Sequence, residues 1–259
     1  MPSKKVYFGL FLILAVFFLI MFSAFGIQNI RQGNLESILI VGDNTTWTYK
    51  DRRWGNVRYT SSLQQINWTK FHVFEDNQEL GDYYLWHDDK WYVFDDDKQA
   101  INVSGKLLAY SGNYHVKVLD FQESTVDDYS YVYSVLQENG LSTSSLFSSI
   151  YKVDIDYDGD SNIEEFYIIS NQFPLDFEAD TTFSIAFMVK NNMIYYLYND
   201  IHTTQGLNGC KPYYHSFVDT DSDGVYEVII SCGKYSSEEP IDMLYQFKEG
   251  AFKLLISNQ

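Results

Sequence analysis

Two short stretches hold the side chains best placed to do chemistry. One is Asp154-Ile155-Asp156-Tyr157-Asp158-Gly159-Asp160-Ser161-Asn162-Ile163-Glu164-Glu165 and the other Asp219-Thr220-Asp221-Ser222-Asp223-Gly224-Val225-Tyr226-Glu227. Alternating carboxylates that run into a glycine suit a hard cation. Ca2+ takes about six to eight oxygens at roughly 2.3–2.6 Å, so side chains at alternate positions must point inward and the chain must then turn sharply, which glycine permits through positive φ. A backbone carbonyl and a later acidic side chain complete the shell. In the second loop the closing ligand is Glu227; in the first, Asn162 and Glu165 are both placed to close it. The expected ligands are Asp154, Asp156, Asp158, Asp160, Asn162 and Glu165 in one loop, and Asp219, Asp221, Asp223 and Glu227 in the other, giving two Ca2+ sites. A single loop of this kind is open to the reading of a solvated acidic turn. Recurrence argues against that, because each loop runs into an aliphatic segment ending Ile-Ile-Ser, Phe166 to Ser170 and Val228 to Ser231, with a hairpin after it. Flanking strands rather than helices distinguish the loops from EF-hands.

Other chemistry is poorly represented. The chain lacks a nucleophile elbow, a phosphate-cradling glycine loop and a zinc-binding helix. His72, His87, His115, His202 and His215 lack metal-ligand spacing, and Asp95-Asp96-Asp97 near His87, Asp88 and Asp89 reads as a solvated hairpin rim. Trp47, Trp54, Trp86 and Trp91 could stack on sugar rings, but core packing is their ordinary role. The expectation is a non-enzymatic binding module. Its rival is a glycan-active enzyme, since a glycoside hydrolase needs only two carboxylates brought together in space.

The elements that must position these loops read as β-hairpins. Met243–Phe247 turns at Lys248-Glu249-Gly250 into Ala251–Leu255, and Ser184–Val189 turns at Asn191-Asn192 into Met193–Tyr198. Tyr131–Leu136 turns at Asn139-Gly140, Leu85–His87 turns into Trp91–Phe94, and Trp47–Tyr49 turns into Trp54. Over 124–136 a helix N-cap pattern competes with alternating Tyr129, Tyr131 and Tyr133, and the strand reading is preferred for its Tyr and Val content. Hairpin turns recur at roughly 40–60 residues, a blade-like interval, and Gly42-Asp43 and Gly81-Asp82 stand in the same register before Trp47 and Trp86. The expected fold is all-β, with antiparallel, β-propeller-like hairpin repeats preceded by one transmembrane helix.

Strand, D-x-D-x-D-G-x-x-E loop, strand and hairpin together resemble the FG-GAP/VCBS-type repeats of integrin-like β-propellers, over roughly residues 130–259. The resemblance implies Ca2+ ligation by Asp154, Asp156, Asp158 and Glu165 in one unit and by Asp219, Asp221, Asp223 and Glu227 in the other. It also implies a surface for adhesion or ligand binding. Clear Phe-Gly and Gly-Ala-Pro signatures are missing, and the first loop is longer than the family's usual one.

The rest of the chain bounds where such a module works. A net charge of −17 among 259 residues excludes nucleic acid as a partner, and 22 Tyr with 19 Phe argue for a folded, β-rich body. Lys4-Lys5 precede an apolar run from Val6 to Phe25, long enough to cross a bilayer at about 1.5 Å per residue. The flanking lysines favour a cytoplasmic N-terminus. A cleaved signal peptide is the competing reading, with Ala24-Phe25-Gly26 as its site, but the run exceeds the usual apolar length of one. The expected organisation is a cytoplasmic tail over 1–5, a signal-anchor over 6–26, a linker over 27–36 and an extracytoplasmic β domain over 37–259. Its partners would be the membrane, through that helix, and a glycan or protein ligand at the cell surface. Cys210 and Cys232 can pair in an exported domain, and the sequons at Asn44, Asn67 and Asn102 suit an exported surface without proving one.

Overall fold

Val228-Ile229-Ile230-Ser231-Cys232 shows no alternation of apolar and polar residues, the pattern of a strand covered on both faces, and all five are buried. The computed structural model describes residues 37–258 except 44, 51–52, 58–62, 113–116, 119–122, 125–128, 143–148, 172–180, 203–209, 221–222 and 235–236. These residues are mostly β, in antiparallel sheets.

The first sheet contains β1 (Ser37–Val41), β2 (Thr45–Lys50), β3 (Arg53–Asn56), β4 (Thr69–Glu75), β5 (Gln78–His87), β6 (Trp91–Phe94), β7 (Ala100–Ile101) and β8 (Leu107–Gly112). Its order is β3-β2-β1-β8-β4-β5-β6-β7, so β8 returns to join two meanders. The chain then lays down two short edge strands, β9 (Lys117–Val118) and β10 (Glu123–Ser124). A second sheet runs β10-β11-β12-β13-β14, with β11 (Ser149–Ile155), β12 (Glu164–Ser170), β13 (Thr182–Lys190) and β14 (Met193–His202). The third runs β18-β17-β16-β15-β9, with β15 (Lys211–Asp219), β16 (Glu227–Lys234), β17 (Ser237–Lys248) and β18 (Ala251–Ser257). The second and third sheets are thus the same four-stranded meander, each edged by one short strand. The described strands do not close into a ring.

Local chemistry fixes the hairpins. Asn191 and Asn192 both take positive φ, 53° and 59°, as the two-residue turn between β13 and β14 requires, and asparagine tolerates that region better than other side chains. The hairpins β17–β18, β5–β6 and β2–β3 form where alternation and turn residues place them. Two expectations are corrected. Tyr131–Leu136 is not a strand but part of α1 (Ser130–Glu138), because Val132, Val135 and Leu136 at helical spacing bury against Tyr167, Ile169, Phe183, Ile185 and Phe187 of the second sheet. Asn139-Gly140 is the helix stop rather than a hairpin turn: Gly140 has φ +68°, its N–H donates to Gln137 O at 3.0 Å, and Leu141 N–H donates to Leu136 O at 2.8 Å. Nor are Gly42 and Gly81 equivalent. Gly42 turns β1 into β2 against the Lys106 stem, whereas Gly81 lies inside β5 beside a strand irregularity. The first sheet therefore does not repeat the unit seen twice in 149–257.

Packing orders the layers. Val218, Ile229 and Leu244 of the third sheet meet Leu39, Val41, Trp47, Phe74 and Leu108 of the first. On its other face Phe217, Val228, Ile230 and Tyr245 meet Val153, Ile155, Phe166, Ile168 and Met188 of the second. Each such side chain contributes about 1.5–3 kcal/mol on burial. A polar clasp joins the first and third sheets at Asp242, fully buried, which accepts from Thr45 Oγ1 at 2.5 Å, Lys106 Nζ at 3.2 Å and Ser231 Oγ. Cys210 and Cys232 form a disulfide with Cα atoms 5.0 Å apart, tying the entry of β15 to β16. Among the described residues no helix is long and apolar enough to cross a membrane; the Val6–Phe25 run lies outside them.

Candidate metal centre

Each acidic loop joins the first two strands of its meander, β11 to β12 and β15 to β16. Strand pairing therefore decides which carboxylates face inward. In the second meander Val218 pairs with Glu227; in the first Ile155 pairs with Glu164, and Asp154 with Glu165. Successive strand residues point to opposite faces, so Asp154 and Glu165 lie on the other face from Ile155 and Glu164. The structure places both beside Lys152 Nζ, at 3.1 and 2.8 Å. Glu164, 1% exposed, enters the loop in place of Glu165.

With Asp156 aligned on Asp219, the two loops share their internal hydrogen bonds. Asp156 Oδ2 accepts from Ser161 N–H at 3.1 Å, and Asp219 Oδ2 from Gly224 N–H at 3.1 Å. Asp160 Oδ1 accepts from Asn162 N–H and Asp223 Oδ1 from Val225 N–H, both at 2.8 Å. Glu164 Oε2 accepts from Tyr157 N–H at 2.8 Å, and Glu227 Oε2 from Thr220 N–H at 3.0 Å, with the Thr220 hydroxyl adding a second bond at 2.7 Å. Ser161 takes the positive φ, +67°, that Gly224 takes at +86°. Asp156-x-Asp158-x-Asp160-Ser161-x-x-Glu164 is thus the nine-residue counterpart of Asp219 to Glu227, and the extra length read into the first loop is strand β11. Gly159 stands two residues before Ser161, the residue that holds in the first loop the turn position of Gly224 in the second.

Oxygen atoms are left over in both loops. Asp156 Oδ1, Asp158 Oδ1 and Asp219 Oδ1 are buried without a hydrogen-bond donor, and Asp219 is only 2% exposed. Leaving such an atom unpaired costs about 1–3 kcal/mol or more for a charged group, and a cation is its natural complement. Oxygens of Asp156, Asp158 and Glu164 lie within 4.8 Å of one another, close enough to share an ion. The donor set is all oxygen, which suits Ca2+ rather than a softer metal. Asp221 lies outside the described residues, so Asp219, Asp223 and Glu227 represent the second loop.

Lys190 carried no signal in the motif. From the end of β13 its Nζ reaches Asp158 at 2.6 Å, Glu164 at 2.8 Å and Asp160 at 3.3 Å. Burial opposes its charge, but the bonds to Asp158 and Glu164 outweigh that and hold its pKa above the usual lysine range. Asp160 is held below the usual carboxylate range, first by the Asn162 N–H and then by Lys190.

The loops touch. Tyr226 N–H donates to Tyr157 O at 3.0 Å, and the Tyr157 hydroxyl accepts from Phe247 N–H at 3.2 Å while its ring packs edge-on to Phe247 and Phe252. Compared with known proteins, the chain matches no family model, no curated sequence and no solved structure. What the loops can do rests on their own geometry.

The remaining candidates have ordinary partners. Trp47 and Trp91 are core residues, while Trp86 is exposed beside Trp68. Asp96 pairs with Lys70, Asp95 accepts from Gln99 N–H, and His72 sits between Glu79 and Asp82. The Asn67 side chain is spent on the His87 backbone, accepting at 2.7 Å and donating at 3.3 Å.

Proposed function

We propose that this chain is a calcium-binding β module, held to the membrane by its 6–26 segment and displayed outside the cytoplasm, where it serves adhesion or ligand binding rather than catalysis. The observation that carries the calcium reading is the pairing of two nine-residue loops with one hydrogen-bond scheme and buried carboxylate oxygens left without donors. Asp156, Asp158, Asp160 and Glu164 would serve one site, and Asp219, Asp221, Asp223 and Glu227 the other, with the backbone at Asn162 and Val225 turned into each loop. Ca2+ would supply positive charge where the strands converge; the protein supplies the preset oxygens. Two meanders packed face to face, each with its loop between first and second strands, support a blade-like arrangement of the FG-GAP/VCBS kind, incomplete as a propeller. A glycan or a protein at the cell surface is the partner class this reading carries.

The test is Ca2+ titration of the purified full-length chain in detergent, with thermal melting in Ca2+ and in EGTA. A ligand at 100 times its dissociation constant adds about 2.7 kcal/mol, which raises the melting temperature by roughly 5–10 °C in a domain of this size. Identical melts, with no heat of binding up to millimolar Ca2+, would reduce both loops to acidic turns.

A further inference from the structure

The two faces of the first sheet differ in character. Strand alternation sends Phe71, Val73, Leu85 and Val93 into a buried cluster and turns Lys70, His72, Asp82, Tyr84, Trp86 and Phe94 to the other side. Part of that second side is covered, since Phe74 packs into the cluster shared with the third sheet. Tyr110 stands at the border: it stacks on Phe74 and lies 5.5 Å from the His72 ring. Next to it opens a cleft of about 550 Å3 lined by Lys70, His72, Asp82 and Tyr110, and past Tyr84 the Trp68 and Trp86 side chains are 41% and 37% exposed. Trp68 is held there against its backbone preference. Its φ is +62°, a region that bulky side chains avoid, yet its N–H donates to Leu85 O at 2.8 Å, its ring lies 5.5 Å from Trp86 and 5.1 Å from Phe94, and Lys98 Nζ sits 5.3 Å from the ring centre. The surroundings thus fix an exposed ring in one position.

Resting on the ligand-binding reading, we infer that this face binds a neutral oligosaccharide, whose sugar rings stack on Trp68 and Trp86 and whose hydroxyls meet Lys70, Asp82 and Tyr110 in the cleft. The negative face of an aromatic ring attracts the C–H side of a sugar, and a hydroxyl both donates and accepts, so ammonium, carboxylate and phenol all serve it. Burial, then Asp82 and Glu79, push the Tyr110 phenol above its usual pKa and keep it a neutral donor. Charges of both signs stand side by side, Lys70 Nζ lying 3.2 Å from Asp96 Oδ1, so a ligand of either net charge meets repulsion and a neutral one does not. The carboxylates of Asp82 and Asp96, in a chain of net charge −17, oppose an anionic bilayer. A protein partner needs a contiguous apolar centre, whereas among the described residues Lys70 and Asp82 interrupt the rings along β4 and β5. Asp82 to Trp86 spans four steps of β5, about 13 Å of strand, which is longer than one sugar ring and calls for a chain of them.

The test probes an array of neutral and acidic glycans with the full-length chain in a sugar-free detergent, followed by calorimetry with cellohexaose, chitohexaose and maltoheptaose. Saturable binding to a neutral oligosaccharide is expected, weakened about tenfold or more in Trp86→Ala and in Trp68→Gly and unchanged in Tyr133→Ala, which removes an exposed ring from α1. Glycine accepts the positive φ, so Trp68→Gly removes the ring without adding strain, and far-UV circular dichroism reports the fold of each variant. The face contains no residue of the acidic loops, so binding should be equal in Ca2+ and in EGTA below the melting temperature. Failure of the calcium titration and failure of the glycan face are therefore read separately. No neutral glycan bound up to millimolar concentration, or binding indifferent to both tryptophan variants, would overturn the proposal. So would another occupant: a preference for sulfated or sialylated glycans, a dimer in analytical ultracentrifugation that Trp86→Ala splits, or quenching of Trp86 fluorescence by brominated phosphatidylcholine in nanodiscs.

Discussion

Replacing Asp242 with alanine should be the most damaging single change outside the acidic loops. The carboxylate is fully buried and accepts from Thr45, Lys106 and Ser231, while its backbone N–H donates to Asn258 Oδ1 at 3.1 Å. The Lys106 side chain is itself only 12% exposed. Alanine would take the carboxylate away from that ammonium and from the two hydroxyls that donate to it. Removing one partner of a buried ion pair costs about 3–5 kcal/mol, and at about 2–4 °C per kcal/mol the melting temperature should fall by roughly 6–20 °C. Differential scanning calorimetry reads this directly. The companion variant is Asp242→Asn with Lys106→Met, which removes both charges; because a buried pair is often replaceable without loss, it should recover most of the stability. A double-mutant cycle of these two substitutions should then show a coupling energy above about 1 kcal/mol. A cost below about 1 kcal/mol for Asp242→Ala, or additive single costs, would refute the clasp.

Two further outcomes are expected. Removing the disulfide by Cys210→Ser with Cys232→Ser, which opens a loop of sequence separation 22, should cost about 3 kcal/mol in chain entropy, and denaturant melts with and without reductant should agree on it. Burial lowers the His215 imidazole to about 4, between Tyr151 and Phe217. The unfolded chain therefore binds the proton first: this contribution is fully present above about pH 6.5 and is lost as pH falls toward 4, by about 3 kcal/mol at most. His215→Phe should flatten that part of the pH profile of stability, and an unchanged profile would discount the burial.

Much of the fold was legible because strand chemistry is local. Asn191-Asn192 and Glu249-Gly250 announce hairpins through the positive φ they accept, and the Asp219 to Glu227 spacing announces its loop outright. The helix was not legible in the same way. Ser130–Glu138 carries strand-forming Tyr and Val, and only the apolar face offered by Tyr167 and Phe187 turns Val132, Val135 and Leu136 into a helical stripe. The first loop failed for a related reason. Whether Glu164 or Glu165 faces inward is a question of strand register, which β12 settles by pairing with β11 at Ile155–Glu164. Lys190 lies far along the chain from Asp158 and reaches it only across the β12–β13 ladder, so no spacing rule could have named it.

The join between the first and third sheets bears on how the protein is made. Asn258 donates to Thr45 Oγ1 at 2.8 Å, Asn56 donates to Ser257 O at 2.7 Å, and Leu244 packs into the cluster that holds Leu39, Val41 and Trp47. A ribosome delivering about 5–20 residues per second releases Trp47 some ten seconds or more before Leu244. For that interval an apolar sheet face waits for a partner not yet synthesised. Pairing so distant in sequence is slow to form even afterwards. The nascent chain therefore passes through a stage in which a finished β-sheet is still adhesive, and holding it apart from its neighbours falls to whatever chaperones attend synthesis.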